Sequence, residues 1–555
     1  MRGGQGPGRQ RRVVPARGWA RRVMGTAATA GAAALVWVAL VAPGSTAPTT
    51  PLVLLRVPVE GLVLGGLVLG LPAAGSRRVR RWVLPPVGVL LGVLLLVRIL
   101  DRVFRDVFFY RPFNLTSDWR YAASGVQLVR DASGQAVAAL AAVAAGLALG
   151  GILVSLPLSL RRLAAVGERH RSASLRVLAA LAAVWVVAAV TGAAVAPGLP
   201  VASSSAAALA DEQARKTVDD VRDHAVFASA IGVDGLAHTD PSAMVRALAG
   251  KDVVVVFVES YGKVALDSPD VQQALRDGRS TLGAQGYSMR SAWLSSPTFG
   301  GFSWLAHSTL QSGLWVDSQQ RYDQLVTTNR LTLGRVLSRA GWRTVAVIPA
   351  NQHDWPEGRD FYGYDRVWDA RTLGYRGPSF GYAPMPDEFT LSAFDRLELQ
   401  ASPRRPVMAE VDLVTSHIPW APLPRPVDWS RLGDGTAFAP QVGQATSQSE
   451  VWRTPAGVRA AYAQSIAYSI GSLVDWLSHT RDDNLVVLVL GDHQPATVVS
   501  GVGASHEVPV TVLTRDPSVT EHIAGWQWQD GLGPRADAPV WPMSAVRDRI
   551  LTSFR

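Results

Sequence analysis

Five apolar stretches take up most of the first 200 residues, near 24–42, 51–72, 82–100, 135–158 and 176–197. Each approaches the roughly 20 helical residues needed to cross a hydrocarbon core about 30 Å thick. In lipid a backbone must satisfy its own hydrogen bonds, which a helix does. The expected N-terminal part is therefore an α-helical domain of five transmembrane spans.

Charge gives the spans a direction. The N-terminal run RQRRVVPARGWARR and the turns SRRVRR (76–81) and RRLAAVGERHR (161–171) are rich in arginine, whereas PGSTAPTT (43–50) carries no charge. Arginine-rich connections stay cytoplasmic. The N-terminus is then inside, and five crossings carry everything after about residue 200 to the outer face. Reading the first stretch as a cleaved signal peptide would break this alternation. Arg56 and Glu60, four apart in the second span, are expected to share a helix face as an ion pair.

The net charge of +10 does not point to nucleic acid, because it is unevenly placed. Residues 1–200 hold 23 Arg against 6 acids, and 201–555 hold 31 basic against 38 acidic residues. The basic excess lies beside the spans and has a membrane explanation. With no cysteine in the chain, disulfides, thiolate chemistry and Cys-based metal sites are excluded.

The chain divides into a basic cytoplasmic N-terminus (1–23), the transmembrane domain (24–198), a polar, Ala-rich connecting helix and linker (199–249), and an outer domain (250–555). In the outer domain unbroken apolar runs alternate with helical patterns: KDVVVVFVES (251–260), WRTVAVIPA (342–350), RPVMAEVDLVTSH (405–417), LVVLVLGDH (485–493) and VPVTVLT (508–514). That is the signature of an α/β domain with a mostly parallel sheet flanked by helices. Ligands of such sheets bind beyond the carboxyl ends of the strands. There stand Glu259, the Asp412–His417 segment, Asp492 with His493, and His506 before the last strand. Mixed carboxylate and imidazole ligation suits a divalent metal ion, Zn²⁺ or Mn²⁺. Between two of these strands SSPTFGGFSWLAHSTLQSG (295–313) breaks at Pro297, Gly300 and Gly301 and opens a helix at Ser303. Ser303 there is a helix N-cap, a nucleophile among free N–H groups, or both. Thr298 is the rival hydroxyl. Asp412 is expected to support a metal-binding histidine, and His307, one turn after Ser303, either points toward the site or, more commonly for such a histidine, lies on a helix surface.

With these motifs in hand, the sequence resembles the lipoteichoic acid synthases and the related membrane phosphoethanolamine transferases, which join five spans to an extracellular alkaline-phosphatase-type domain. VFVES places Glu259 at the family's metal-binding Glu, GGFSWLAH places Ser303 at its nucleophilic Thr, and LGDHQP places Asp492 and His493 at its metal-binding Asp-His. TSHIPW puts His417 at a substrate or second-metal His, SHEVP puts His506 at the transferases' late metal His, and HDWPEGRDFYGYD offers Trp355 and Arg359 as headgroup contacts. The resemblance implies an enzyme, sulfatase-like in fold, with one or two divalent ions. It would transfer a phosphoglycerol- or phosphoethanolamine-type headgroup from a membrane lipid, through a covalent Ser303 intermediate, to a glycan or lipid acceptor of the cell envelope. Water as acceptor would make it a phosphodiesterase, and loss of the ligands an inactive scaffold of the same fold. A formylglycine sulfatase is disfavoured, because the chain lacks cysteine and SSPTF lacks the required Arg.

Overall fold

The structure, a computed structural model, describes residues 16–42, 50–108, 113–115, 118–120, 122, 125–126, 129–130, 134–480 and 482–555. The extreme N-terminal basic residues, most of the uncharged 43–50 turn and much of the 101–134 connection lie outside the described residues. Contacts divide the chain into two units, Met1–Asp106 with Arg111–Asp220, and Val107–Tyr110 with Val221–Arg555.

The first unit is helical, with α1 (Ala16–Val41), α2 (Val59–Gly70), α3 (Leu84–Phe108), α4 (Gln135–Arg169), α5 (Arg171–Thr191) and the first part of α6 (Ser205–Gly232). Among the described residues four helical stretches are long and apolar enough to cross a membrane: Arg22–Val41, Ala74–Phe104, Gln135–Arg169 and Arg171–Thr191. They make the unit a multi-pass membrane domain. The fifth expected span, 51–72, is a correction. Pro51–Leu55 forms a separate 3₁₀ turn, Val57–Pro58 is extended, and α2 has only 12 residues, about 18 Å of helix. Pro58 cannot continue a helix from the preceding turn.

That break also undoes the expected Arg56–Glu60 pair. Arg56 lies in extended backbone before the helix and donates to the carbonyls of Pro200 (3.0 Å) and Val41 (3.4 Å), while Glu60 accepts from Ala207 N–H (2.8 Å). Val57 and Pro58 pair with Ala202 and Ser203 beyond the C-terminal end of α5, and Arg171 at its N-terminal end donates to the Leu71 carbonyl (3.3 Å). Residues 57–71 thus run antiparallel beside α5. At the Arg171 end, Glu168 holds Arg80 at 2.6 Å and accepts from Ser76.

The second unit is built on a nine-stranded sheet. Its strands are β1 (Asp252–Val258), β2 (Ser288–Ser295), β3 (Arg343–Ile348), β4 (Arg366–Asp369), β5 (Val407–Leu413), β6 (Leu485–Gly491), β7 (Glu507–Thr514), β8 (Gln529–Asp530) and β9 (Val540–Pro542). The order is β8-β2-β7-β6-β1-β5-β3-β4, with β9 also on β2. From β6 to β4 every neighbour is parallel, and β7 runs antiparallel to both β6 and β2.

Alternate residues of β1 explain its unbroken apolar run. Val254, Val256 and Val258 pack with the buried residues of α7 (Pro269–Ala284) and α9 (Pro455–His479) on one face. Val253, Val255 and Phe257 pack with α8 (Ser303–Ser312) on the other. Both faces are covered, as parallel sheets require. The register aligns Gly491 with Val258 and Val258 with Leu413, so three central strands end at one level.

The bundle's two ends can be read by labelling, and the natural absence of cysteine makes single thiols unambiguous. His170→Cys and Ser204→Cys should react with a membrane-impermeant maleimide from opposite sides, with Ser204→Cys labelled in intact cells. Labelling of both from one side would overturn the expected topology.

Candidate active site

Where β1 and β6 stop, the chain turns sharply. Ser260 takes the left-handed φ of 56° immediately after Glu259. Gly491, the last residue of β6, lies so close to the neighbouring loop that a Cβ would fall 1.9 Å from the Tyr261 carbonyl oxygen. Only glycine permits that approach. The Ser260 N–H and the His493 N–H both donate to Asp492 Oδ1 at 2.7 Å. Ser416 Oγ–H donates to the Glu259 carbonyl at 2.6 Å, tying the end of β5 to the same point.

A third turn delivers the hydroxyl. Gly300, Gly301 and Phe302 have φ of 69°, 152° and 64°, and a bulky residue in this region is strained. Phe302 is the cap, so Ser303 is the first residue of α8 rather than its N-cap, and its side chain is left for the site. Ser303 Oγ–H donates to Glu259 Oε2 at 3.0 Å and lies 3.3 Å from His493 Nε2. Thr298 is directed elsewhere, donating to the Gly301 carbonyl at 2.6 Å.

Glu259, Asp492 and His493 each place one ligand atom within 4.8 Å of the others. His493 Nε2 is 3.5 Å from both Glu259 Oε1 and Asp492 Oδ2. Ligands about 2.0–2.2 Å from one ion sit roughly 3–4 Å apart, so this set fits a divalent cation. The histidine is in the right tautomer: Nδ1 is 2.8 Å from the Gln494 carbonyl, so it carries the proton and Nε2 keeps its lone pair. Among the described residues neither carboxylate is paired with a Lys or Arg. Their protonation is split. Burial pushes Glu259 up, but before any ion binds the charge of His493 and His417 when protonated, with the hydrogen bonds of Ser260 and Asp492, outweighs it and brings the carboxyl to about 2. Asp492, buried beside that charge, is pushed up to about 6.

A cavity of about 400 Å³ opens onto Glu259 and Ser303 and is lined also by Trp304, His307, Trp355, Asp412 and His417. His417 stacks on Tyr382 and donates from Nδ1 to the Ile418 carbonyl at 2.6 Å. Two expected residues lie apart from it. His506, before β7, bonds the Ser296 carbonyl at 3.1 Å and sits neither in the donor set nor in the cavity lining. Arg359 is exposed, held by Asp360 at 2.9 Å, and lines a neighbouring depression with His353, Asp354 and Trp355. The π-type turn Gly358–Tyr362 buries Phe361 and Tyr362, leaving Arg359 on the solvent side.

A second cluster was missed in part. Glu410 and Asp412 lie on one face of β5 and meet His307, which is half-buried on α8 with its ring turned toward β5. Asp412 thus faces His307, not the metal-binding histidine. The signal was present in MAEVDL, where two acids two apart in an apolar strand must share a face.

No protein-family model and no curated protein matches the sequence. Solved structures similar to it include the lipoteichoic acid synthase LtaP from Listeria monocytogenes, 16% identical over 59% of this chain and 78% of that one, with a TM-score of 0.37. The integral membrane lipooligosaccharide phosphoethanolamine transferase EptA from Neisseria meningitidis is 11% identical over 95% of this chain and 97% of its own (TM-score 0.42). The periplasmic domain of EptC from Escherichia coli, solved with Zn, is 13% identical over 49% and 75% (TM-score 0.33). These are the kinds of protein that the motifs resemble. The likeness is one of fold, and the chemistry rests on the residues of the site.

Divalent-ion binding should weaken as pH falls through about 6, where Asp492 takes up its proton, by roughly tenfold per unit for one proton. Glu259→Gln and Asp492→Asn should each abolish the rise in Tm that Zn²⁺ or Mn²⁺ produces. Calorimetric titration with each ion, alongside melting with and without chelator, checks both.

Proposed function

We propose that the protein is a membrane-anchored, metal-dependent phosphotransferase that takes a phosphoglycerol- or phosphoethanolamine-type headgroup from a membrane lipid, its catalytic domain on the outer face of the cell. The observation that carries this reading is Ser303 Oγ, at the start of α8, within 3.0 Å of Glu259 and 3.3 Å of His493.

Glu259, Asp492, His493 and Ser303 Oγ would hold the ion. When bound, a divalent ion lowers the pKa of the serine hydroxyl and screens charge on the phosphoryl oxygens. The chain supplies the rest. Ser303 directs its proton to Glu259 Oε2, leaving Oγ lone pairs for phosphorus. The positive end of the helix dipole at the N-terminus of α8 favours the anionic headgroup. Attack forms an Oγ–P bond and breaks the ester to diacylglycerol, whose oxygen takes up a proton. A glycan or lipid hydroxyl then attacks the phosphoserine ester, forming its own O–P bond and breaking Oγ–P, and the proton it gives up returns to Ser303 Oγ. Trp355 and His417, both lining the cavity, orient the headgroup. Because the domain is continuous with the membrane unit, donor lipid and enzyme share one surface. The complete donor set disfavours an inactive scaffold.

Incubation of the full-length protein with headgroup-labelled phosphatidylglycerol and phosphatidylethanolamine should label Ser303. Ser303→Ala should lose the adduct and turnover by on the order of a thousandfold or more. Persistent labelling in that variant would remove Ser303 as nucleophile. Release of free headgroup in the presence of envelope acceptors would make the enzyme a hydrolase.

A further inference from the structure

One turn beyond Ser303 on α8, His307 lines the same cavity. Its ring stacks on Phe257 of β1, with centroids 3.8 Å apart and planes 15° from parallel. Its Nδ1 is 3.0 Å from Glu410 Oε1 and 3.8 Å from Asp412 Oδ1. Glu410 is itself fixed, its Oε2 accepting from Gln311 Nε2 at 2.6 Å and from Tyr364 OH at 2.7 Å. Asp412 Oδ1 is buried with no hydrogen-bond partner. A carboxylate on Nδ1 holds a histidine's tautomer and orientation and favours its charged form. With Nδ1 taken, the nitrogen left for a ligand is Nε2.

We propose that His307, fixed through Nδ1 by Glu410, is a phosphoryl-binding group whose Nε2–H donates to a non-bridging oxygen of the group attacked by Ser303. The proposal rests on the reading of Ser303 as nucleophile. The proton stays on His307 throughout, so the role is electrostatic rather than acid–base. Glu259, Glu410 and Asp412 all line the cavity, so a phosphate entering it needs a cationic donor on the Glu410–Asp412 side as well as any ion held at Glu259. The charged groups around it are Glu410 and Asp412 from β5 and Asp492 after β6, all acidic. Burial alone would lower the imidazole, but Asp412, then Glu410 and Asp492, raise it to about 9. His307 therefore stays charged through neutral pH and loses its charge only as pH rises through about 9.

The test uses the full-length protein in phosphatidylglycerol and phosphatidylethanolamine vesicles with Mn²⁺. His307→Gln should lower kcat by about a hundredfold, the size of losing one aligned donor, with ion content unchanged and the Ser303 adduct still forming slowly. His307→Lys should recover part of the rate. Glu410→Gln should move the alkaline fall in kcat from near 9 toward lower pH, a shift that a purely structural role would not produce and that remains readable if the His307 variants fold poorly. Wild-type kcat in His307→Gln, or an unmoved alkaline limb in Glu410→Gln, overturns the proposal. So does loss of one bound ion in His307→Gln, which would make the histidine a metal ligand. Labelling that survives Ser303→Ala fails the nucleophile reading itself, whatever His307 does.

Discussion

Two carboxylates, Glu259 and Asp492, are buried at the ends of adjacent parallel strands with no Lys or Arg partner among the described residues. Like charges so placed are costly, and a buried charge left unpaired destabilises a protein by several kcal/mol. The other end of β1 shows how this fold treats an acid it needs only for structure. There Asp252 is buried too, but Arg404 clamps both of its oxygens at 2.6–2.7 Å and the Val407 N–H adds a third bond. The same strand thus starts on an acid clamped by an arginine and leads into Glu259, which has hydroxyl donors from Ser260 and Ser303 but no Lys or Arg partner among the described residues. A divalent cation would resolve the second case.

The backbone around this donor set is arranged to bring short side chains together. Ser260 and Phe302 accept left-handed conformations, and Gly491 accepts a contact that no other residue can. Each distortion sits within a residue or two of a donor atom. The strain is local, and it is held by the buried sheet whose strands end there.

Much of this was readable in advance. Valine-rich runs marked β1, β3, β5, β6 and β7, because a strand covered on both faces has no solvated side to alternate with. β2, SMRSAWLS, escaped notice because Ser288, Arg290 and Ser291 interrupt its apolar pattern; it qualifies as a strand only through its pairing with β7, β8 and β9. Hydropathy marked 51–72 as a span, but hydropathy does not count the hydrogen bonds that Pro58 interrupts. The convergence of Glu259, Asp492 and His493 followed from strand ends alone. The placement of Arg359 and His506 did not, since one lies in a π-type turn and the other on a loop, and the course of both depends on what packs beneath them.

What the sequence determined by itself was the membrane unit, the mostly parallel sheet and the kinds of side chain at its carboxyl edge. These follow from local patterns: apolar length, uninterrupted strand runs, and the residue types where those runs stop. The tertiary structure alone decided which hydroxyl faces the donors, which histidine a carboxylate holds, and that Asp412 serves His307. Those outcomes depend on distances between residues far apart in the chain, down to the 3.0 Å separations at Ser303 and His307. Only the packing of α8 across the sheet sets them.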